Sequence, residues 1–299
     1  MAVSWTYDDI PDLTGRTAVV TGASSGLGLV TARELAAHGA DVIMAVRNVP
    51  KAAALAGGME VRVLDVADLD SVRAFADRLH ADGRGVDLLV NNAGIANVPR
   101  RLSPQGVESQ FATNFLGHFA LTGLLLDLLR PDARVVAVGS NLYRYARVDL
   151  PFDDLAAERY YSPGRAYVAS KLANLLFGAE LERRLRRAGL PVRSFVAHPG
   201  VASTPMQDSA QGLAQRALMV VVRAALARSA EQAAIPLLFA ATSPAAETGV
   251  FLGPSIRKWD TRVYFDELVP PADDQALATR LWDLAQARSG VQYLSNVRL

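Results

Sequence analysis

The chain has no cysteine in its 299 residues. Disulfides, thiolate nucleophiles, iron–sulfur clusters and cysteine-ligated zinc are therefore excluded. Histidine is scarce. The four present, His38, His80, His118 and His198, are scattered and lack metal-ligand spacing. Neither sign of charge dominates: 31 basic residues against 30 acidic ones give a formal net charge of +1. That balance offers no electrostatic grip on nucleic acid or on an anionic membrane. There is no long uninterrupted apolar run either. The longest such stretch, Phe115 to Leu129, contains His118 and Asp127 and is too short to span ~30 Å of hydrocarbon. Asp8, Asp9 and Asp12 precede the first base, Arg16, so neither a secretory signal nor a membrane anchor is expected. A cytoplasmic location follows as the expectation.

What is present is a core-forming composition, 51% hydrophobic and 20% charged, which a disordered chain does not have. From residue 17 to about 200, two kinds of segment alternate. Short β-rich runs occur at Thr17–Thr21, Asp41–Val46, Val61–Asp65, Asp87–Asn91, Arg134–Ser140 and Val192–His198. Between them lie stretches of helical periodicity, Leu27–His38, Ser71–His80, Glu108–Leu129 and Tyr167–Arg187. Alternation of this kind predicts βαβ units and a parallel sheet. Runs such as Ala18–Val20 and Leu88–Val90 are apolar throughout, which suits strands covered on both faces. No linker, repeat or low-complexity tract appears, so residues 1–299 are read as one domain. The loop from about 142 to 165, with Pro151, Pro163 and Gly164, is expected to fold over the surface. A helical insertion is expected at 205–229, a helix at Ile235–Ala241, an edge strand at Gly249–Leu252 and a C-terminal helical tail from about 273 to 299, its helix over Asp273–Ala287.

The strongest local signal is Thr21-Gly22-Ala23-Ser24-Ser25-Gly26-Leu27-Gly28, between a strand and a helix. Gly22 permits a tight turn, and Gly26 and Gly28 remove Cβ atoms where a backbone must approach a pyrophosphate or a helix must pack on the sheet. Exposed N–H groups at Ser24, Ser25, Gly26 and Leu27, with the helix dipole, then favour an anion. The second strand ends in Val46 and Arg47 rather than an acid. A cation there pairs with a 2′-phosphate, which favours NADP(H) over NAD(H); a solvated surface arginine is the alternative. Asp65, followed by Val66, closes the third strand. It would accept from an adenine amino group, or else cap a helix. Asn91-Asn92-Ala93-Gly94 follows the fourth strand, near the crevice at the carboxyl ends of parallel strands.

Tyr167 and Lys171, four residues apart, lie on one helix face. A free tyrosine has pKa about 10, and a nearby ammonium is expected to lower it, so that Tyr167 serves as general acid–base; taken without its context, the pair reads as an i,i+4 surface contact. Ser140 ends an apolar strand and is placed to hold a substrate oxygen. Asn114 sits in an otherwise apolar helix and needs a partner if buried; a water joined to Lys171 is one, its own backbone another. After the sixth strand comes His198-Pro199-Gly200-Val201-Ala202-Ser203-Thr204. Pro199, Gly200, the Val201 backbone and the Thr204 hydroxyl are candidates for holding a carboxamide, and His198 is read as a packed turn histidine.

Together, Thr21–Gly28, Asn91–Gly94, Asn114, Ser140, Tyr167-x-x-x-Lys171 and Pro199–Thr204 resemble the short-chain dehydrogenase/reductase superfamily, over about residues 14–205. Ser162–Leu176, Pro11–Gly15, the Arg47 region and the long gap from Ser140 to Tyr167 look most like its retinol-dehydrogenase and WW-domain-oxidoreductase branch. The chain has neither a WW domain nor an evident anchor, and a retinoid substrate is not carried over. The resemblance implies a single-domain α/β Rossmann fold with a doubly wound, seven-stranded parallel sheet and helices on both faces. It implies an NAD(P)(H)-dependent oxidoreductase acting on a small carbonyl or alcohol. Tyr167 would be the acid–base, Lys171 the ribose ligand that acidifies it, Ser140 the carbonyl-polarising group and Asn114 the anchor of a relay water. It further implies that 205–229 covers the substrate and that copies associate through the helices carrying Asn114 and Tyr167. The apolar bias of 205–229 suggests an apolar substrate, with Tyr143, Tyr145 and Tyr161 lining its site; packing on the core is the alternative. A catalytically silent NADP(H)-binding sensor and an epimerase or dehydratase are the competing functions.

Overall fold

A computed structural model describes residues 1–145, 148–200, 228–255, 257 and 260–294. Nine strands form one sheet in the order β1-β9-β8-β7-β6-β5-β2-β3-β4. They are β1 Ala2–Val3, β2 Thr17–Thr21, β3 Asp41–Val46, β4 Glu60–Val63, β5 Val86–Asn91, β6 Leu129–Val138, β7 Arg193–Ala197, β8 Phe251–Pro254 and β9 Val263–Asp266. The seven from β8 to β4 run parallel, as expected for the fold class. Two antiparallel strands, β9 and β1, extend the sheet beyond that number. Gly249–Leu252 was expected at an edge. The strand lies instead at Phe251–Pro254, between β7 and β9, because β9 pairs onto its free side and the chain's first residues pair onto β9 in turn.

Alternating strand side chains feed two cores. Val19, Ile43, Leu89 and Val135 pack under α3 (Leu69–Ala81), α5 (Gly117–Leu124), α6 (Pro163–Arg187) and α8 (Gln275–Ser289). Ala18, Val20, Val42, Met44 and Leu88 pack under α1 (Gly26–Ala37) and α7 (Ala230–Thr242). Both sides of each central strand are thus buried, which is why those runs are apolar throughout. Strand order reverses between β2 and β5, and this opens a crevice beyond their carboxyl ends.

The helix expected over Glu108–Leu129 is interrupted. A short α4 (Ser109–Phe111) runs into a π-helical turn at Ala112–Leu116, then α5, and the segment ends in a 3₁₀ turn at Leu126–Leu128. The interruption coincides with Asn114, whose side chain is committed to another part of the chain (below). The 142–165 loop is not merely superficial, since Tyr143, Leu150 and Leu155 are buried in the larger core. α8 lies across α5 and α6, and its Trp282 packs against Phe119 (5.1 Å between ring centroids) and Phe177 (6.0 Å). The Arg184 guanidinium covers the same indole at 4.4 Å. The face of α5 and α6 expected to meet a second copy therefore carries the chain's own C-terminal helix. Among the described residues no helix is long and apolar enough to cross a membrane.

Candidate active site

The turn after β2 is built on contacts that tolerate no side chain. Gly22 (φ +68°) and Gly26 (φ +52°) occupy the left-handed region. A Cβ on Gly28 would lie 2.6 Å from the Gly22 carbonyl oxygen and collide with the Asn92 amide, so glycine lets α1 rest on the turn after β5. Thr21 joins the two turns. Its hydroxyl accepts the N–H groups of Asn92 and Ala93, both at 2.9 Å, and its carbonyl accepts the Asn92 amide at 2.8 Å. α1 opens at Gly26 with no side-chain cap from Ser25, so first-turn N–H groups remain available to an anion.

One cleft of about 540 Å³ runs along this edge. Gly22, Ser24, Ser25, Gly26, Leu27 and Gly28 form one wall; Asn92, Ala93 and Gly94 form the floor; Pro199 and Gly200 close the far side. Arg47, Asp65 and Val66 line one end, and Tyr167 and Lys171 also border the cleft. Asn48 and Lys51, which sequence reasoning passed over, line it beside Arg47. The Arg47 side chain is 78% exposed, and its nearest carboxylate, Asp65, is 4.0 Å away. Asp65 does not cap α3. Its Oδ1 accepts from Ala67 N, whereas Asp68 is the cap. Val201, Thr204 and 205–227 lie outside the described residues.

Ser140, Tyr167 and Lys171 meet where β6 ends against α6. Lys171 is 2% exposed, and its Nζ donates to the Val138 carbonyl oxygen at 2.8 Å. Asn174, not singled out from sequence, donates to the same oxygen at 3.0 Å. Its signal was available: Tyr167, Ser170, Lys171 and Asn174 recur at i, i+3, i+4 and i+7, a polar stripe on the buried face of a helix. The acidification of Tyr167 expected from Lys171 is absent here. Burial raises the phenol, a side-chain hydrogen bond from Ser140 opposes this, and the ammonium sits 6.0 Å from the ring centroid. Burial also lowers Lys171 to about 8. Both groups are thus pushed toward their neutral forms.

Asn114 is fully buried but does not reach Lys171 through its side chain. Its Oδ1 accepts from Ile95 N at 2.8 Å, while Nδ2 donates to Ile95 O (3.0 Å) and Ser170 Oγ (2.8 Å). It fixes the chain after the Asn92–Gly94 turn to the stripe of α6. Its carbonyl accepts from His118 Nδ1 at 3.0 Å, which leaves Nε2 to accept the Thr21 hydroxyl at 2.9 Å. The three expected tyrosines do not line this cleft. Tyr143 is buried against Phe251, Tyr145 is exposed, and Tyr161 donates to Val98 O.

The residues fit a dinucleotide on two counts. A buried ammonium with three donors makes one hydrogen bond among the described residues, which leaves donors for ribose hydroxyls. An uncapped helix start and an exposed arginine face the two places where phosphates would lie.

Comparison with known proteins agrees with this geometry. Residues 16–152 match the family model described as short chain dehydrogenase. The chain is 37% identical to human retinol dehydrogenase 14, over 93% of this chain and 87% of that protein. Among solved structures it is similar to an uncharacterized protein from Mycobacterium paratuberculosis, at 42% identity and TM-score 0.81, covering 97% and 99% of the two chains. It is also similar to a short chain dehydrogenase from Burkholderia cenocepacia in complex with NADP, at 26% identity and TM-score 0.64, covering 83% and 99%. The chain belongs to the short-chain dehydrogenase/reductase family, on its retinol-dehydrogenase-like branch, and is an NAD(P)-dependent oxidoreductase acting on CH–OH and C=O groups.

Proposed function

We propose that the protein interconverts an apolar carbonyl compound and its alcohol with NADP(H), in preference to NAD(H). The observation that carries the reading is Lys171, buried one helical turn from Tyr167 with both residues bordering the cleft, and its Nζ held at the end of β6 two residues before Ser140. The bound nicotinamide would supply or accept the hydride. The chain's own residues handle the oxygen and its proton. Ser140 donates a hydrogen bond to the substrate oxygen. Tyr167, kept protonated by burial, gives its proton to that oxygen during reduction and takes one back during oxidation. Lys171 holds ribose hydroxyls and, with its lowered proton affinity, returns a proton to the tyrosine. Asn114 acts as a positioning residue through Ser170 and Ile95.

Arg47 and Lys51 supply positive charge at the adenosine end and no acidic residue ends β3, which supports a 2′-phosphate there. Asp65 then faces the adenine. Val201 and Thr204 continue the carboxamide turn in this reading, and 205–229 covers the substrate within a single domain. A second cavity of about 350 Å³ also borders Tyr167, lined by Leu142 and Val168 together with Asn97, Ser162, Gly164 and Arg165. That lining and the name of the human relative support an apolar aldehyde or ketone. Since α8 covers α5 and α6, a homo-oligomer would use another face. A chain without cysteine needs no oxidising compartment, and the proposed location is cytoplasmic. The intact Ser140, Tyr167 and Lys171 set weighs against a silent sensor. The test is NADPH oxidation against a panel of aliphatic, prenoid and aromatic carbonyls, with the matching alcohols and NADP+. Turnover of apolar members supports the reading; NADPH binding without turnover of any member would favour the sensor.

A further inference from the structure

His198 is 2% exposed and takes no part in the chemistry above, yet its surroundings are specific. Its ring packs against Phe251, 4.5 Å between centroids and tilted by 38°. It also lies so close to Gly253 that any Cβ there would collide with it. The backbone N–H of Gly200 donates to its Nδ1 at 3.1 Å. A backbone amide can only donate, so Nδ1 is unprotonated and, in a neutral ring, Nε2 carries the hydrogen. Burial and the nearby Arg144 keep the ring neutral, lowering it to about 3. The partner of Nε2, 3.0 Å away, is the side-chain amide of Asn141. An N–H at Nε2 requires an oxygen opposite it, so the Asn141 carbonyl faces the imidazole. With the amide turned the other way, its amino group facing the ring, the Asn141 Oδ1 has no hydrogen-bond partner among the described residues.

Asn141 directly follows Ser140, and Gly200 belongs to the turn that closes the cleft near the nicotinamide position. We propose that His198 is a positioning residue that ties these two backbone segments together through Nε2–H to Asn141 and Nδ1 from Gly200. It thereby sets the spacing between the group holding the substrate oxygen and the turn holding the nicotinamide. Gly253 is glycine because this ring occupies the space of a side chain. The inference rests on the cofactor reading given above.

The test uses two probes, NADPH and 2′,5′-ADP, the latter lacking the nicotinamide half. His198→Phe keeps the ring against Phe251 and removes both hydrogen bonds. NADPH should bind about tenfold more weakly, as expected for lost hydrogen bonds, while 2′,5′-ADP binding changes less than about twofold. Asn141→Ala, at a less buried position, should weaken NADPH in the same selective way, and the double variant should lose no more than His198→Phe alone. Unchanged NADPH binding in both single variants, equal weakening of both probes, or fully additive losses would overturn the proposal. A wild-type protein that binds neither probe would remove the cofactor reading, and this proposal with it. One that binds 2′,5′-ADP and NADPH while the variants stay unaffected overturns the proposal alone.

Discussion

Lys171 and Asn174, one helical turn apart on α6, both donate to the carbonyl oxygen of Val138, at 2.8 and 3.0 Å. This shared acceptor pins the helix to the end of β6 two residues before Ser140, so the ammonium sits at a fixed depth beside the cleft. Burial that lowers Lys171 to about 8 then has a kinetic consequence. The rate of carbonyl reduction should fall as pH rises through about 8, where the ammonium gives up its proton. Lys171→Arg, which stays charged and cannot return a proton to Tyr167, should react more slowly and lose that limb. A pH–rate profile of both proteins checks this, and an identical limb in Lys171→Arg would assign it elsewhere.

Arg47 stands at the end of the cleft proposed for the adenosine, with no carboxylate closer than 4.0 Å among the described residues. Arg47→Ala should weaken NADPH by about 10- to 100-fold, the worth of one or two charge-assisted hydrogen bonds. NADH should be almost unaffected. Equal losses for both cofactors in direct binding measurements contradict the 2′-phosphate assignment.

His118 and His198 are both buried neutral, lowered to about 4 and about 3. In the unfolded chain they titrate near 6.5. Between that value and about 4 the unfolded state binds more protons, so their contribution to stability is present above pH 6.5 and is lost as pH falls toward 4. Urea midpoints measured from pH 7 to pH 4.5 should decline, and His118→Gln should decline less steeply. Parallel curves for the two proteins would show that His118 does not titrate on unfolding.

Trp282 fills the space between α5, α6 and α8 among Phe119, Phe177 and Tyr293. Trp282→Ala should cost about 3–5 kcal/mol and loosen α8 from the face it covers. Light scattering should then report more self-association than in the wild-type chain. A wild-type dimer unchanged by the substitution would mean that copies meet elsewhere.

How much of this was legible in the sequence depended on range. The glycine turn and the Tyr167–Lys171 pair are written in local spacing, and both are found along one cleft. Asn114 betrayed itself as an amide in an apolar helix, but its partners Ile95 and Ser170 come from a loop and another helix, and no spacing announces them. The strands at Ala2–Val3 and Val263–Asp266 are too short to show alternation, and only their pairing across the chain makes them strands. The acidity expected of Tyr167 is opposed by burial, a tertiary effect that raises the phenol and that local spacing does not reveal. His198, Asn141 and Gly253 are likewise unremarkable until three strand ends bring them together.

The central claim is that Tyr167 moves the substrate proton. Wild-type protein and Tyr167→Phe should be compared for NADPH-dependent turnover of the best carbonyl in the panel, with NADPH affinity measured alongside. In Tyr167→Phe kcat should fall by about 10²- to 10⁴-fold with cofactor affinity nearly intact. Undiminished turnover in the phenylalanine variant would contradict it.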